Sequence, residues 1–231
     1  MDECPQIKAL LAGSKELVRY VKKSGLMRHL KTALKQEVST RWNTMFYLLH
    51  SMLSNFDEIH HILTTRGEGY RMAAVDKALL EVIVPFLEVY KAASLELEAT
   101  AKPTVHLPLP WFYKLLQHCT PDNSSDGEMQ TLQRKASDLL NSKFCLQPLH
   151  HVATALNPQM KSMKMLPDSV RDKVYEALRS MISNITITSE GIAQIMLICV
   201  LYIKVARLSA SCNDFCLCLL ASLMLCRWPL L

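Results

Sequence analysis

Apolar residues recur every three or four positions along most of the chain, which is the period of an α-helix with one buried face. Ile7, Leu10, Leu11, Leu17, Val18 and Val21 form a first stripe, interrupted by Ser24-Gly25. Leu26, Leu30 and Leu34 resume it at a spacing of four, predicting a second short helix after a break. Met45, Leu49, Met52, Phe56, Ile59 and Leu63 predict one amphipathic helix, with Ser39 and Thr40 as candidate caps and Gly67 and Gly69 as stops. Val75, Leu79, Val82, Phe86, Val89 and Ala93 predict another, kinked where Pro85 removes a backbone bond. Pro103, Pro108 and Pro110 mark an extended connector before a helix led by Trp111. The polar run from Pro121 to Gly127 reads as a loop, and Ser125 with Glu128 has capping-box spacing ahead of Met129, Leu132, Ala136, Leu139 and Leu140. A last helix is expected from Asp168, after Pro167, with Val170, Val174, Leu178 and Met181 inward. No alternating run supports a strand and no segment repeats. The expected fold is all-α, an irregular bundle of roughly seven to nine helices.

Composition fits that picture. The 231 residues are 50% hydrophobic and 20% charged, with six Gly and ten Pro, which excludes disordered, collagen-like and low-complexity classes. The start, Met1-Asp2-Glu3-Cys4-Pro5, is acidic where a secretory leader needs cations and an apolar run, so the eight cysteines are expected to be reduced thiols in an intracellular compartment. From Gly191 onward the character changes, with only Lys204, Arg207, Asp214 and Arg227 charged and five of the cysteines present. The apolar runs Ile195–Ile203 and Phe215–Cys226 fall short of the ~20 residues a spanning helix needs, so a membrane segment stays open only as the lesser reading of the tail. Three regions follow: residues 1–70, basic and helical; 71–185, the rest of the helical region; and 186–231, an atypical apolar, Cys-rich tail.

Common catalytic signatures are missing. There is no Gly-x-Ser-x-Gly elbow, Gly-x-x-x-x-Gly-Lys phosphate loop, Gly-x-Gly-x-x-Gly turn or His-Glu-x-x-His helix. Close carboxylate pairs such as Asp57 with Glu58, or Glu96 with Glu98, diverge around a helix and read as solvated surface. His60-His61, His118-Cys119 and His150-His151 are adjacent residues, which point about 100° apart and seldom share one ion. The tail cysteines Cys212, Cys216, Cys218 and Cys226 lack zinc spacing and read as small buried apolar groups. No metal, cofactor or catalytic residue is assigned.

The formal charge of +5 is unevenly spread. Between Lys15 and Arg41 stand Lys15, Arg19, Lys22, Lys23, Arg28, Lys31, Lys35 and Arg41 against Glu16 and Glu37. Arg28, Lys31 and Lys35 are spaced to share a helical face opposite Leu26, Leu30 and Leu34, which suits a phosphate backbone; the alternative is that these cations only solvate surface helices. Arg41-Trp42-Asn43 closes the run. An indole there can stack on an unpaired base while the guanidinium grips phosphate, although a Trp at a helix start more often packs than stacks.

At these residues the sequence resembles the hAT superfamily of DNA transposases, the hobo and Activator type, and host proteins derived from them such as BED-type zinc finger proteins. The resemblance rests on Leu17–Leu53, which holds the Thr-Arg-Trp-Asn hallmark at residues 40–43, and on two weaker colinear stretches, Ala101–Cys119 and Leu149–Leu166. Together they cover about residues 5 to 185. It implies that the matching region corresponds to the long all-α insertion of an RNase H-like core, whose two aspartates, glutamate and Cys-x-x-His motif fall outside the match. Glu190 lacks the pattern around the family's glutamate, and the tail matches neither that residue nor the dimerisation region. Trp42 is the counterpart of a tryptophan that helps hold a flipped base, with Arg41 beside it.

The resemblance therefore implies a truncated, catalytically inactive, transposase-derived nuclear chain with nonspecific affinity for DNA through Arg28, Lys31, Lys35, Arg41 and Trp42. The competing expectation is a helical protein-interaction module that self-associates or binds related transposase-derived proteins without nucleic acid, or a non-functional truncated product.

Overall fold

The computed structural model describes residues 4–38, 43–99, 101–121 and 127–183. These residues form eight α-helices and two short 3-10 turns, with no strand among them. They fall into two compact units: residues up to 92 with 121–136, and 93–120 with residues from 137 on.

In the first unit, α1 (Pro5–Lys23) opens on a proline at its first position, where a missing N–H costs nothing. Ile7, Leu10, Leu11, Leu17, Val18 and Val21 bury the stripe the sequence predicts. The helix ends at Ser24, whose hydroxyl donates to the Tyr20 carbonyl at 2.9 Å, and Gly25 turns the chain with a left-handed φ of 71°.

Two expectations fail just beyond. Leu26, Leu30 and Leu34 do not lie on one helix: Leu26–His29 is a single 3-10 turn, and the chain from Leu30 to Val38 runs on as a non-helical strap. Nor is the stripe from Met45 to Leu63 one helix. It is α2 (Thr44–Ser54) followed by α3 (Phe56–Thr65), broken at Asn55. The same residue explains both. Its amide donates to the Ser51 carbonyl at 2.7 Å, competing with the helical ladder, while its carbonyl oxygen accepts from the Thr32 backbone N–H at 3.3 Å. Asn55 is 1% exposed, so these bonds satisfy a polar group that would otherwise be stranded.

A 3-10 turn over Gly69–Met72 leads into α4 (Lys77–Leu97), which continues through Pro85. Pro85 and Glu81, whose carbonyl loses its ladder partner, are both exposed residues, so water can replace the missing bond. Gly13 lies in mid-α1 because a Cβ there would sit 2.7 Å from that of Ala74.

In the second unit, α5 (Pro108–His118) begins at Pro108, three residues before the tryptophan expected to lead it. Helix α7 (Pro148–Leu156) is closed by a reciprocal cap, with His150 Nδ1 accepting the Gln147 N–H at 3.0 Å. Helix α8 (Asp168–Ser183) starts where predicted, and Asp168 pairs with Arg171 at 2.7 Å. Leu109, Ala155, Met163, Leu166 and Val174 form the core there.

Helix α6 (Gly127–Lys143) contributes residues to both units. Glu128 in its first turn does a different job from the one its spacing suggests. Its carboxylate accepts the backbone N–H groups of Gln6 and Ile7 at 3.1–3.2 Å, capping α1 across 121 or more residues of sequence. The other half of the expected capping box, Ser125, lies outside the described residues, as do the candidate caps Ser39 and Thr40, the residue Glu190 and the whole tail from residue 186.

Candidate nucleic-acid interface

The strap carries Lys31 and Lys35, and three polar residues on one stripe of α2 and its end hold it. Thr44 hydroxyl bonds both the N–H and the carbonyl of Val38, each at 3.1 Å; Ser51 accepts the Lys35 N–H at 2.9 Å; Asn55 takes the Thr32 N–H. Positions 44, 51 and 55 fall within about 40° of one another around a helix. Leu34 is buried at 2% exposure and anchors the strap's apolar side. From the opposite side, α1 reaches it through Lys15, paired with Glu37 at 2.7 Å, and Lys22, which donates to Gln36 at 3.1 Å.

Arg28, Lys31 and Lys35 are all exposed, but they stand on a 3-10 turn and a non-helical strap rather than on one helical face. The spacing of four was misleading because backbone hydrogen bonds to α2 side chains replaced the helical ladder. The three cations are not equivalent. Lys31 is held by Glu58, which binds both its ammonium at 2.9 Å and its backbone N–H at 3.1 Å. That hydrogen bond raises the Lys31 pKa and holds the Glu58 carboxyl below its usual range. Arg28 donates through Nε to His29. Lys35 is fixed through its backbone.

Arg41 and Trp42 lie outside the described residues. The chain positions on either side of them are tied: Thr44, two residues beyond Trp42, grips Val38, three residues before Arg41. The described residues contain no group of three or more His, Cys, Asp or Glu able to hold a metal ion. No described helix is long and apolar enough to cross a membrane.

Sequence reasoning missed Ser51, Asn55 and Glu58. The first two were legible in part, as polar residues recurring within an otherwise apolar helix. Glu58 was read as solvated surface, and only the folded chain brings it to Lys31.

Over 121 residues, 52% of this chain, the sequence is 31% identical to the hobo transposable-element transposase of Drosophila melanogaster. Over 140 residues, 59% of the chain, it is 25% identical to zinc finger protein 618 of mouse and of human. The chain is a relative of the hAT-type transposases. It spans 18% of the length of the fly protein and 15% of each mammalian one. No protein-family model matches it.

Proposed function

We propose that this transposase relative binds DNA in the nucleus with little sequence preference, through Arg28, Lys31, Lys35, Arg41 and Trp42, and performs no strand cleavage itself. The carrying observation is the strap: a segment pinned along α2 presents exposed cations and leads directly into Arg41-Trp42. The hobo relative acts, by its name, in transposition, which supports DNA as the partner. Non-catalysis is supported by what the carboxylates do. Glu58 holds Lys31, Glu68 accepts from Tyr20 and pairs with Arg71, Asp57 pairs with Lys77, Glu96 accepts from Trp111, and Glu128 caps α1.

Fluorescence anisotropy with labelled hairpin DNA tests this. About three phosphate contacts give a salt slope near −2.7, hence roughly a fortyfold loss of affinity between about 50 and about 200 mM salt. Trp42→Ala should weaken binding further. A flat salt response together with an inert Trp42→Ala variant would overturn the DNA reading, and DNA nicking or joining with added Mg²⁺ would overturn non-catalysis.

A second reading, a helical module that binds protein, is favoured by exposed Leu156 (64%) and Leu95 (49%). Light scattering on the purified chain discriminates: a concentration-dependent dimer without DNA affinity supports it, and a DNA-binding monomer excludes it.

A further inference from the structure

Around α2, the strap occupies the stripe of Thr44, Ser51 and Asn55, and the core takes Met45, Leu48, Leu49 and Met52. Between the strap and the far edge of the core runs a solvent-facing stripe of Tyr47, His50 and Ser54, at the i, i+3, i+7 spacing that keeps residues on one side of a helix. Tyr47 is 38% exposed, unusual for an aromatic residue on a helix with so many buried neighbours. Buried Phe46 meets its ring edge-on, with centroids 5.5 Å apart and an interplanar angle of 70°, and meets the His50 ring at the same distance. On the side away from the strap, Lys91 of α4 places its ammonium 5.0 Å from the Phe46 centroid and 5.9 Å from that of Tyr47. Lys91 thus stands by the Phe46 and Tyr47 rings, while Lys35, exposed on the strap, has its backbone tied to Ser51 on the neighbouring stripe of α2.

This arrangement has the parts that single-stranded nucleic acid requires. Unpaired bases offer flat π-faces to an aromatic ring, and the phosphates between them need positive charge at the ring's margins. A fully paired duplex buries those faces in its own stack and cannot use the ring. Resting on the DNA-binding reading above, we propose that Tyr47 and His50 form a stacking platform for unpaired bases of a DNA strand, with Lys35 and Lys91 holding the flanking phosphates. The preference is for unpaired over paired DNA, because stacking on an aromatic ring accepts any base face.

The test uses the full chain and two labelled probes of equal length, a blunt duplex and a hairpin with a single-stranded flank of about five nucleotides. Tyr47→Leu, which keeps apolar contact with Phe46, should weaken binding to the flanked hairpin about fivefold or more while leaving the duplex within about twofold. Tyr47→Phe should restore the flanked-hairpin affinity. Lys91→Gln should lower the salt slope on the flanked hairpin by about 0.7, the value for one phosphate on a single strand. If the wild-type chain binds DNA but Tyr47→Leu weakens both probes equally or neither, the platform is refuted and the DNA-binding reading survives. If the wild-type chain binds neither probe, the DNA-binding reading fails and takes the platform with it. Circular dichroism and urea midpoints matching the wild type show that the variants compared are folded.

Discussion

Removing the carboxylate of Glu128 should unfasten the start of α1 from the far side of the sequence. Helix α1 has Cys4 at its N-cap with no side-chain capping bond, and its first turn holds no acidic residue, so neither the cap residue nor the first turn supplies an acceptor for the open N–H groups or a negative charge at the positive helix end. Glu128 does both, accepting from Gln6 at 3.1 Å and Ile7 at 3.2 Å. Loss of a capping acceptor costs about 1 kcal/mol. Loss of a negative charge at a helix N-terminus costs about 0.3–1 kcal/mol more. Glu128→Ala should therefore destabilise the chain by about 1.3–2 kcal/mol, lowering Tm by about 3–8 °C for a chain of this size. Glu128→Gln keeps an acceptor oxygen and loses the charge, so it should fall between the two. Urea unfolding followed by circular dichroism gives the energies, and amide hydrogen exchange locates them: protection should fall at Gln6 and Ile7 before it falls in mid-α1. Unchanged exchange at those two amides in Glu128→Ala, or a Gln variant as damaging as Ala, would refute the reasoning.

Asn55→Ala should cost about 1–3 kcal/mol, because it removes the buried amide that bonds the Ser51 carbonyl and the Thr32 N–H, and it should speed tryptic cleavage after Lys31 and Lys35 as the strap loosens. Unaltered cleavage would mean the strap is held elsewhere. Stability should also fall in mildly acidic solution. Burial depresses the pKa of His150, with the neighbouring His151 adding to it, and burial depresses that of His106. The neutral rings favoured by the fold contribute fully above the unfolded value of about 6.5; that contribution is lost as pH falls below it towards the depressed folded values. Urea midpoints that stay level between pH 8 and pH 5 would contradict this, while His150→Gln should flatten part of the slope.

The helices were legible where the apolar period met no competition. The stripe of α1, the start of α8 at Asp168 and the buried face of α6 follow from spacing, because any helix with those residues must hide one side from water. The period failed where side chains offered the backbone other partners. Leu26, Leu30 and Leu34 keep a helical spacing, yet Asn55, Ser51 and Thr44 capture the N–H groups of Thr32, Lys35 and Val38 and draw the chain out straight. Likewise, the stripe through Met45 and Leu63 gave no warning of the break at Asn55, since both halves still bury the same residue types.

The candidate site divides along the same line. Its cationic character and its Arg-Trp-Asn motif are properties of the chain read in order, as is the relationship to hAT-type transposases. Which cations are committed and which rings face outward was decided only in three dimensions. Glu58 reaches Lys31 across 27 residues, Glu128 reaches α1 across more than 120, and Lys91 reaches Tyr47 from a separate helix. Local periodicity reports which side of an element must be dry; a hydrogen bond or ion pair between distant residues depends on how the elements meet, and no spacing within either one encodes it.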